Sequence, residues 1–202
     1  MTRAEGKNLA LSARERVLDT ADALFFAVGV QAVGVDRVIA EAGVARATLF
    51  RHFPTKDHLV AAYLERRALR AREELGALRD AHRDDPARVL TAIADVVDAY
   101  RDLPGFRGCE FINAAAEFAD PAHPAHRLAI EHRQWFTDFL AGILADMGHD
   151  DAADTARAMM MVRTGALVGA SLEVGITDSS IGAQLWSTLA RRGLRGVVEG
   201  ER

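Results

Sequence analysis

The chain has 202 residues, half of them hydrophobic and 27% charged, with a formal net charge of −4. That balance suits one large or two small folded domains and excludes a disordered chain, and no apolar run nears the ~20 residues a bilayer span needs. A single cysteine, Cys109, excludes an internal disulfide framework and a cysteine-cluster metal site.

The N-terminal MTRAEGKNLALSARER has no apolar stretch followed by a cleavage site, so a cytoplasmic location is expected. Charge is uneven along the chain. Residues 1–67 hold ten cations against eight anions, whereas the remainder holds 15 against 21. A basic N-terminal part on an acidic body suits a polyanion that touches one end.

In chain order the pattern is helical nearly throughout. Ser12-Ala-Arg-Glu15 reads as a capping box, serine and glutamate satisfying free N–H groups at a helix start. Val17, Ala21, Leu24, Phe25 and Val28 then share one face, and Gly29 is a stop. A short second helix turns Val35, Val38, Ile39 and Ala42 inward and ends at Gly43. A third runs from about Arg46 to Phe53, with Leu49 and Phe53 one turn apart in the same core. Pro54 ends it, Thr55 can cap a fourth helix reaching about Ala81, and Asp57 suits that helix's first turn.

Asp85-Pro86 is the next start signal, a cap followed by proline at the first helical position. Val89, Leu90, Ile93, Val96, Val97 and Tyr100 form its apolar stripe. Leu103-Pro-Gly-Phe-Arg-Gly108 precedes a helix with Phe111, Ile112, Ala115 and Phe118, and Asp120-Pro-Ala-His-Pro124 precedes a long one through Trp135, Phe139, Ile143 and Met147. The last two helices are expected at about 152–174 and 178–197, with Gly175-Ile-Thr-Asp178 between them. The first is apolar over most of its circumference and carries Gly165 and Gly169 one turn apart, so it wants burial on more than one side. The expected fold class is all-α, with about nine helices.

Helices two and three with the short turn at Gly43 have the spacing of a helix-turn-helix, whose second helix enters the DNA major groove. With Leu49 and Phe53 inward, Arg46, Ala47, Thr48, Phe50, Arg51 and His52 occupy the other faces. A groove-inserted helix uses such a set: a small residue for close approach, a hydroxyl and cations for phosphates and base edges. His52 can contact phosphate or cap a helix. Lys56, at the start of helix four, can join the free N–H groups there in holding a phosphate.

Val38-Ile-Ala-Glu-Ala-Gly-Val44, Thr48-Leu-Phe-Arg-His-Phe53 and Lys56, in this order and spacing, resemble the TetR family of transcriptional regulators. Three positions depart from the family pattern. Ala45 replaces the usual serine or threonine before the recognition helix and Phe50 the usual tyrosine, while Gly34-Val35 stands at the usual polar start of helix two. Arg37, Arg46 and Arg51 are the cations expected to restore affinity.

The resemblance implies a DNA-binding domain over 10–70, with its motif at about 33–52, and a ligand-binding and dimerisation domain over 71–202. It also implies a homodimer on a double-stranded operator, joined through about 152–174 and 178–197, and a small-molecule effector that releases the DNA. Candidates for lining the effector site are Cys109, Phe111, Trp135, Phe139, Met160 and Arg163.

Several features have plainer readings. Cys109 beside Arg107 can be a sensor thiol or a small buried apolar residue. His123, His126 and His132 with Glu131 suggest a metal site, yet the first two straddle a proline in a turn. Met159-Met-Met161 cannot share one face, so at most two reach any cavity. No nucleophile–base motif or phosphate loop is present, so no catalytic residue, metal ligand or cofactor is assigned. The reading is a ligand-responsive DNA-binding repressor. Its alternative is a helical small-molecule-binding protein or enzyme that keeps the DNA-binding fold as scaffold.

Overall fold

A computed structural model of the chain describes residues 11–172 and 180–192. Among these residues there are nine helices and no strand: α1 (Ala13–Val28), α2 (Val35–Ala42), α3 (Arg46–His52), α4 (Lys56–Ala81), α5 (Pro86–Arg101), α6 (Glu110–Glu117), α7 (Pro124–Asp146), α8 (Ala152–Leu172) and α9 (Ser180–Arg191). The all-α expectation holds. The expected extensions of the last two helices over 173–174, 178–179 and 193–197, the Gly175–Asp178 break and position 10 lie outside the described residues.

The chain divides into two compact units. One runs up to Ala68 and adds Glu110–Ala129; the other comprises Leu69–Cys109 and the described residues from Ile130 onward. In the first unit α1 begins with the capping box: the Ser12 hydroxyl accepts the Glu15 N–H at 3.2 Å, and the Glu15 carboxylate accepts the Ser12 N–H at 2.8 Å. Val17, Leu18, Ala21, Leu24 and Phe25 are buried, as are Val38, Ala42, Leu49 and Phe53, and Leu59, Val60, Tyr63 and Leu64 of α4. Phe25 and Tyr63 meet edge to face with centroids 5.5 Å apart.

A buried acid ties α1 to α4. Asp22 accepts from Arg66 Nη2 at 2.9 Å and from Arg67 Nε at 2.5 Å, and Arg66 also donates to Asp19 at 2.5 Å and to the Leu18 carbonyl at 2.8 Å. A carboxylate taken out of water needs such multiple donors, because its desolvation is otherwise uncompensated. Arg67 also lies 4.6 Å from the centre of the Phe26 ring, so its charge sits against an aromatic face.

The second unit is built around Leu75, Val89, Leu90, Ile93, Phe136, Leu140, Ile143, Leu144, Ala156, Met159, Met160 and Trp186. α5 starts as its sequence dictates, the Asp85 carboxylate accepting the Arg88 N–H at 3.0 Å with Pro86 following. Its stripe is fully buried only from Val89 to Ile93; Val96, Val97 and Tyr100 are half-buried. Trp186 of α9 buries its indole and donates Nε1–H to the Leu90 carbonyl at 2.9 Å, which satisfies the one polar atom it takes inside. Leu185 and Leu189, one turn apart on α9, differ: Leu189 packs on this core, whereas Leu185 is 50% exposed. The side chain of Ile181, one turn earlier, lies outside the described residues.

Candidate nucleic-acid interface

The geometry of α2 and α3 rests on one backbone conformation. Gly43 closes α2 at φ 62°, ψ 43°, the left-handed region that costs a residue with a Cβ about 1–2 kcal/mol. Its N–H donates to the Ala40 carbonyl, and the Val44 N–H to the Ile39 carbonyl at 3.3 Å, so the last carbonyls of α2 are used as the chain reverses. Only Gly43-Val44-Ala45 separates the two helices. The N-cap positions are as bare as the sequence says: neither Gly34 nor Ala45 offers a side-chain hydrogen bond. Arg16 reinforces the turn, its Nε donating to the Ala42 carbonyl at 3.5 Å.

α3 is pinned by Leu49, 0% exposed, and by its C-terminal neighbour Phe53, over which the Arg14 guanidinium sits at 5.3 Å. That anchoring fixes what faces outward. Arg46, Ala47 and Arg51 are exposed; Thr48, Phe50 and His52 are half-buried. Arg37 of α2 is exposed too, and pairs with Glu41 one turn on at 2.8 Å. Arg46 pairs with Asp36 and stacks over Phe50 at 5.2 Å. Arg51 makes no ion pair among the described residues. The exposed Arg37–Glu41 pair is worth about 0–1 kcal/mol, so a phosphate, which offers a charge-assisted bond, can compete for Arg37.

At the start of α4, the Thr55 hydroxyl accepts the His58 N–H at 3.3 Å, the cap its position suggests. Lys56 is half-buried in the first turn, and burial pulls its ammonium below its usual pKa while Glu117 and Asp57 push the other way. Glu117 also accepts the Gln31 N–H at 2.6 Å, and His123 Nε2 lies 3.5 Å from Asp57. Gln31 and Glu117 carry no signal in the sequence, because a bond between residues 86 positions apart leaves no local pattern.

The candidate effector residues are distributed differently. In the second unit Trp135 and Phe139 stack with centroids 5.6 Å apart and pack on the core that holds Met160, and Arg163 lies over the Phe136 ring at 4.7 Å. Cys109 is buried in that unit, while Phe111 is buried in the first. Of the three consecutive methionines, Met159 and Met160 are buried and Met161 is 70% exposed. Two residues not singled out from the sequence join this group: Arg72, over the Trp135 ring at 5.4 Å, and Phe136.

The histidines serve separate ends. His123 stacks on Phe118 at 4.0 Å and His126 Nδ1 lies 2.8 Å from the Phe118 carbonyl oxygen. His132 is buried between the rings of Trp135 and Phe136, and burial first, then Arg163 and Arg72, push its pKa down to about 3. Among the described residues no three histidine, cysteine or acidic side chains are grouped to hold a metal ion, and no helix is long and apolar enough to cross a membrane.

Residues 17–63 match the family model described as bacterial regulatory proteins, tetR family. A TetR-family transcriptional regulator from Streptomyces coelicolor has a solved structure that superposes with a TM-score of 0.81 at 40% identity, over 93% of this chain and 96% of that one. A putative TetR transcriptional regulator from Streptomyces avermitilis superposes with a TM-score of 0.73 at 28% identity, over 89% and 98%. An uncharacterised HTH-type transcriptional regulator of Mycobacterium tuberculosis is 29% identical over 163 residues, 71% of this chain and 80% of its own.

Proposed function

This chain belongs to the TetR family of transcriptional regulators, and from that membership we propose a homodimeric cytoplasmic repressor that holds a palindromic operator and releases it when a small molecule binds. The observation that carries the DNA-binding part is the outward face of α3, where Arg46, Ala47 and Arg51 stand exposed above an anchored Leu49. Thr48, Phe50 and His52 flank them, with Arg37 and Lys56 at the edges as phosphate contacts. Residues 10–70 carry this activity; 71–202 carry dimerisation and effector binding.

The dimer reading is supported by apolar side chains left in water: Met161, Val168 and Leu172 of α8 and Leu185 of α9 are all exposed. A Cβ at Gly165 or Gly169 would meet nothing within 4 Å, so a second backbone has room to approach. A subunit interface removes such a patch from water. Two α3 helices then reach successive major grooves about 34–36 Å apart. The effector site is assigned to Trp135, Phe139, Met160 and Arg163, with Cys109, and its ligand must bind the DNA-free state more tightly than the DNA-bound one.

The test is selection of bound fragments from a pool of random duplex DNA, read by sequencing. A palindromic enriched site whose affinity falls steeply with salt is expected, since neutralised phosphates release counterions. No enrichment at low salt and without ligand would mean a chain that has kept the fold and lost the readout.

A further inference from the structure

We propose that Asp36 is a specificity-determining positioning residue: together with the Phe50 ring it holds the Arg46 guanidinium in the orientation that reads a guanine in each half-site. This rests on the DNA-binding reading above and goes beyond it, to the base and to a residue that touches no DNA.

Arg46 is the first residue of α3, the end of a recognition helix that leads into the groove. An arginine there ordinarily samples many rotamers, and ordering it on binding opposes the complex. Here two neighbours contact it and narrow that choice. Asp36, in the first turn of α2, takes the Nη1 edge, and Phe50, one turn along α3, lies under the guanidinium at 5.2 Å. Phenylalanine in place of the family's tyrosine offers a face and no hydroxyl, so its contribution at this point is the stacking plane.

With Nη1 engaged, Nε and Nη2 have no hydrogen-bond partner among the described residues. These two parallel donors match the O6 and N7 acceptors that guanine shows in the major groove; adenine places an amino donor where guanine has O6. Stability does not explain the pair. The Arg46 and Asp36 side chains are 62% and 79% exposed, and exposed pairs contribute little to folding. Nor does general affinity explain it, because a carboxylate at this surface repels phosphates. What the arrangement supplies is discrimination at the expense of non-specific binding.

The duplex enriched by the wild-type protein supplies the probe, alongside copies in which one guanine per half-site is replaced by adenine. Arg46→Ala should lose the preference for one guanine, a factor of roughly 5–150 in the ratio of dissociation constants for a bidentate contact. Asp36→Asn should lose most of that preference at the same guanine and no other. Its affinity for unrelated duplex should be unchanged or higher, and its thermal unfolding close to wild type. Asp36→Glu, which keeps the carboxylate, should retain the preference. If Asp36→Asn instead tightens binding to all sequences alike with the guanine preference intact, Asp36 only competes with phosphates and the proposal fails. It fails equally if Arg46→Ala leaves every guanine preference unchanged while the wild type still enriches a site. Absence of any enriched site with the wild-type protein defeats the DNA-binding reading itself, and is told apart by that.

Discussion

Replacing His132 by phenylalanine should flatten the acid limb of the stability curve. His132 lies in α7, buried among Trp135 and Phe136, with Arg163 and Arg72 as its charged neighbours. Burial and those two cations lower its pKa from 6.5 to about 3. Above pH 6.5 the ring is neutral whether the chain is folded or not, and this histidine imposes no penalty. As pH falls below 6.5, the unfolded chain takes up a proton that the folded one refuses, so stability is lost down to about pH 3. Each pH unit is worth at most about 1.4 kcal/mol, which gives a ceiling of about 2 kcal/mol between pH 6.5 and roughly pH 5. Phenylalanine suits the aromatic surroundings and cannot titrate. Urea unfolding followed by circular dichroism, at fixed protein concentration from about pH 7.5 to pH 5, should show the wild type losing up to about 2 kcal/mol more than the variant over that range. Any shift common to all pH values reports packing and subtracts out. Parallel curves for the two proteins would refute the reasoning, since His132 would then titrate alike in both states.

Three further outcomes are expected. Asp22→Ala removes the carboxylate that Arg66 and Arg67 share, and thermal or urea unfolding should show a loss of about 3 kcal/mol, the lower end for a broken buried pair because Arg66 keeps Asp19 and the Leu18 carbonyl. Ala45→Ser should stabilise the protein by about 1 kcal/mol in the same assay, because Ala45 already has the extended backbone of an N-cap at φ −70°, ψ 147° and lacks only the acceptor. Lys56→Ala should weaken binding to duplexes of any sequence and reduce the slope of log affinity against log salt by about 1, measured by titration across salt concentrations.

The helices were legible because each is punctuated locally. Ser12 with Glu15, Asp85 with Pro86, and Gly43 all act within a turn of their own position, so the sequence carries their signals intact. The outward face of α3 was legible for the same reason: once Leu49 and Phe53 are inside, helical geometry assigns the rest. Pairings across the chain were not. Nothing in periodicity says that Arg46 turns back to Asp36, that Glu117 accepts from Gln31, or that Asp22 gathers Arg66 and Arg67. The same holds for Leu185 and Leu189, which share a stripe in sequence yet divide between water and core, because partners on α5 and α8 decide which is covered.

The first unit is not one continuous run of chain, since Glu110–Ala129 returns to it after Leu69–Cys109 has gone elsewhere. During synthesis the head emerges from the ribosome well before the segment that completes it. At about 5–20 residues per second, the intervening stretch takes roughly 2–8 seconds to make. For at least that interval Gln31 has no Glu117 to donate to and Asp57 no His123 beside it. The nascent head must therefore keep its shape on the α1–α4 core alone, or wait for a chaperone to hold it, and a slowed ribosome between codons 69 and 109 would lengthen that exposure without changing a single amino acid.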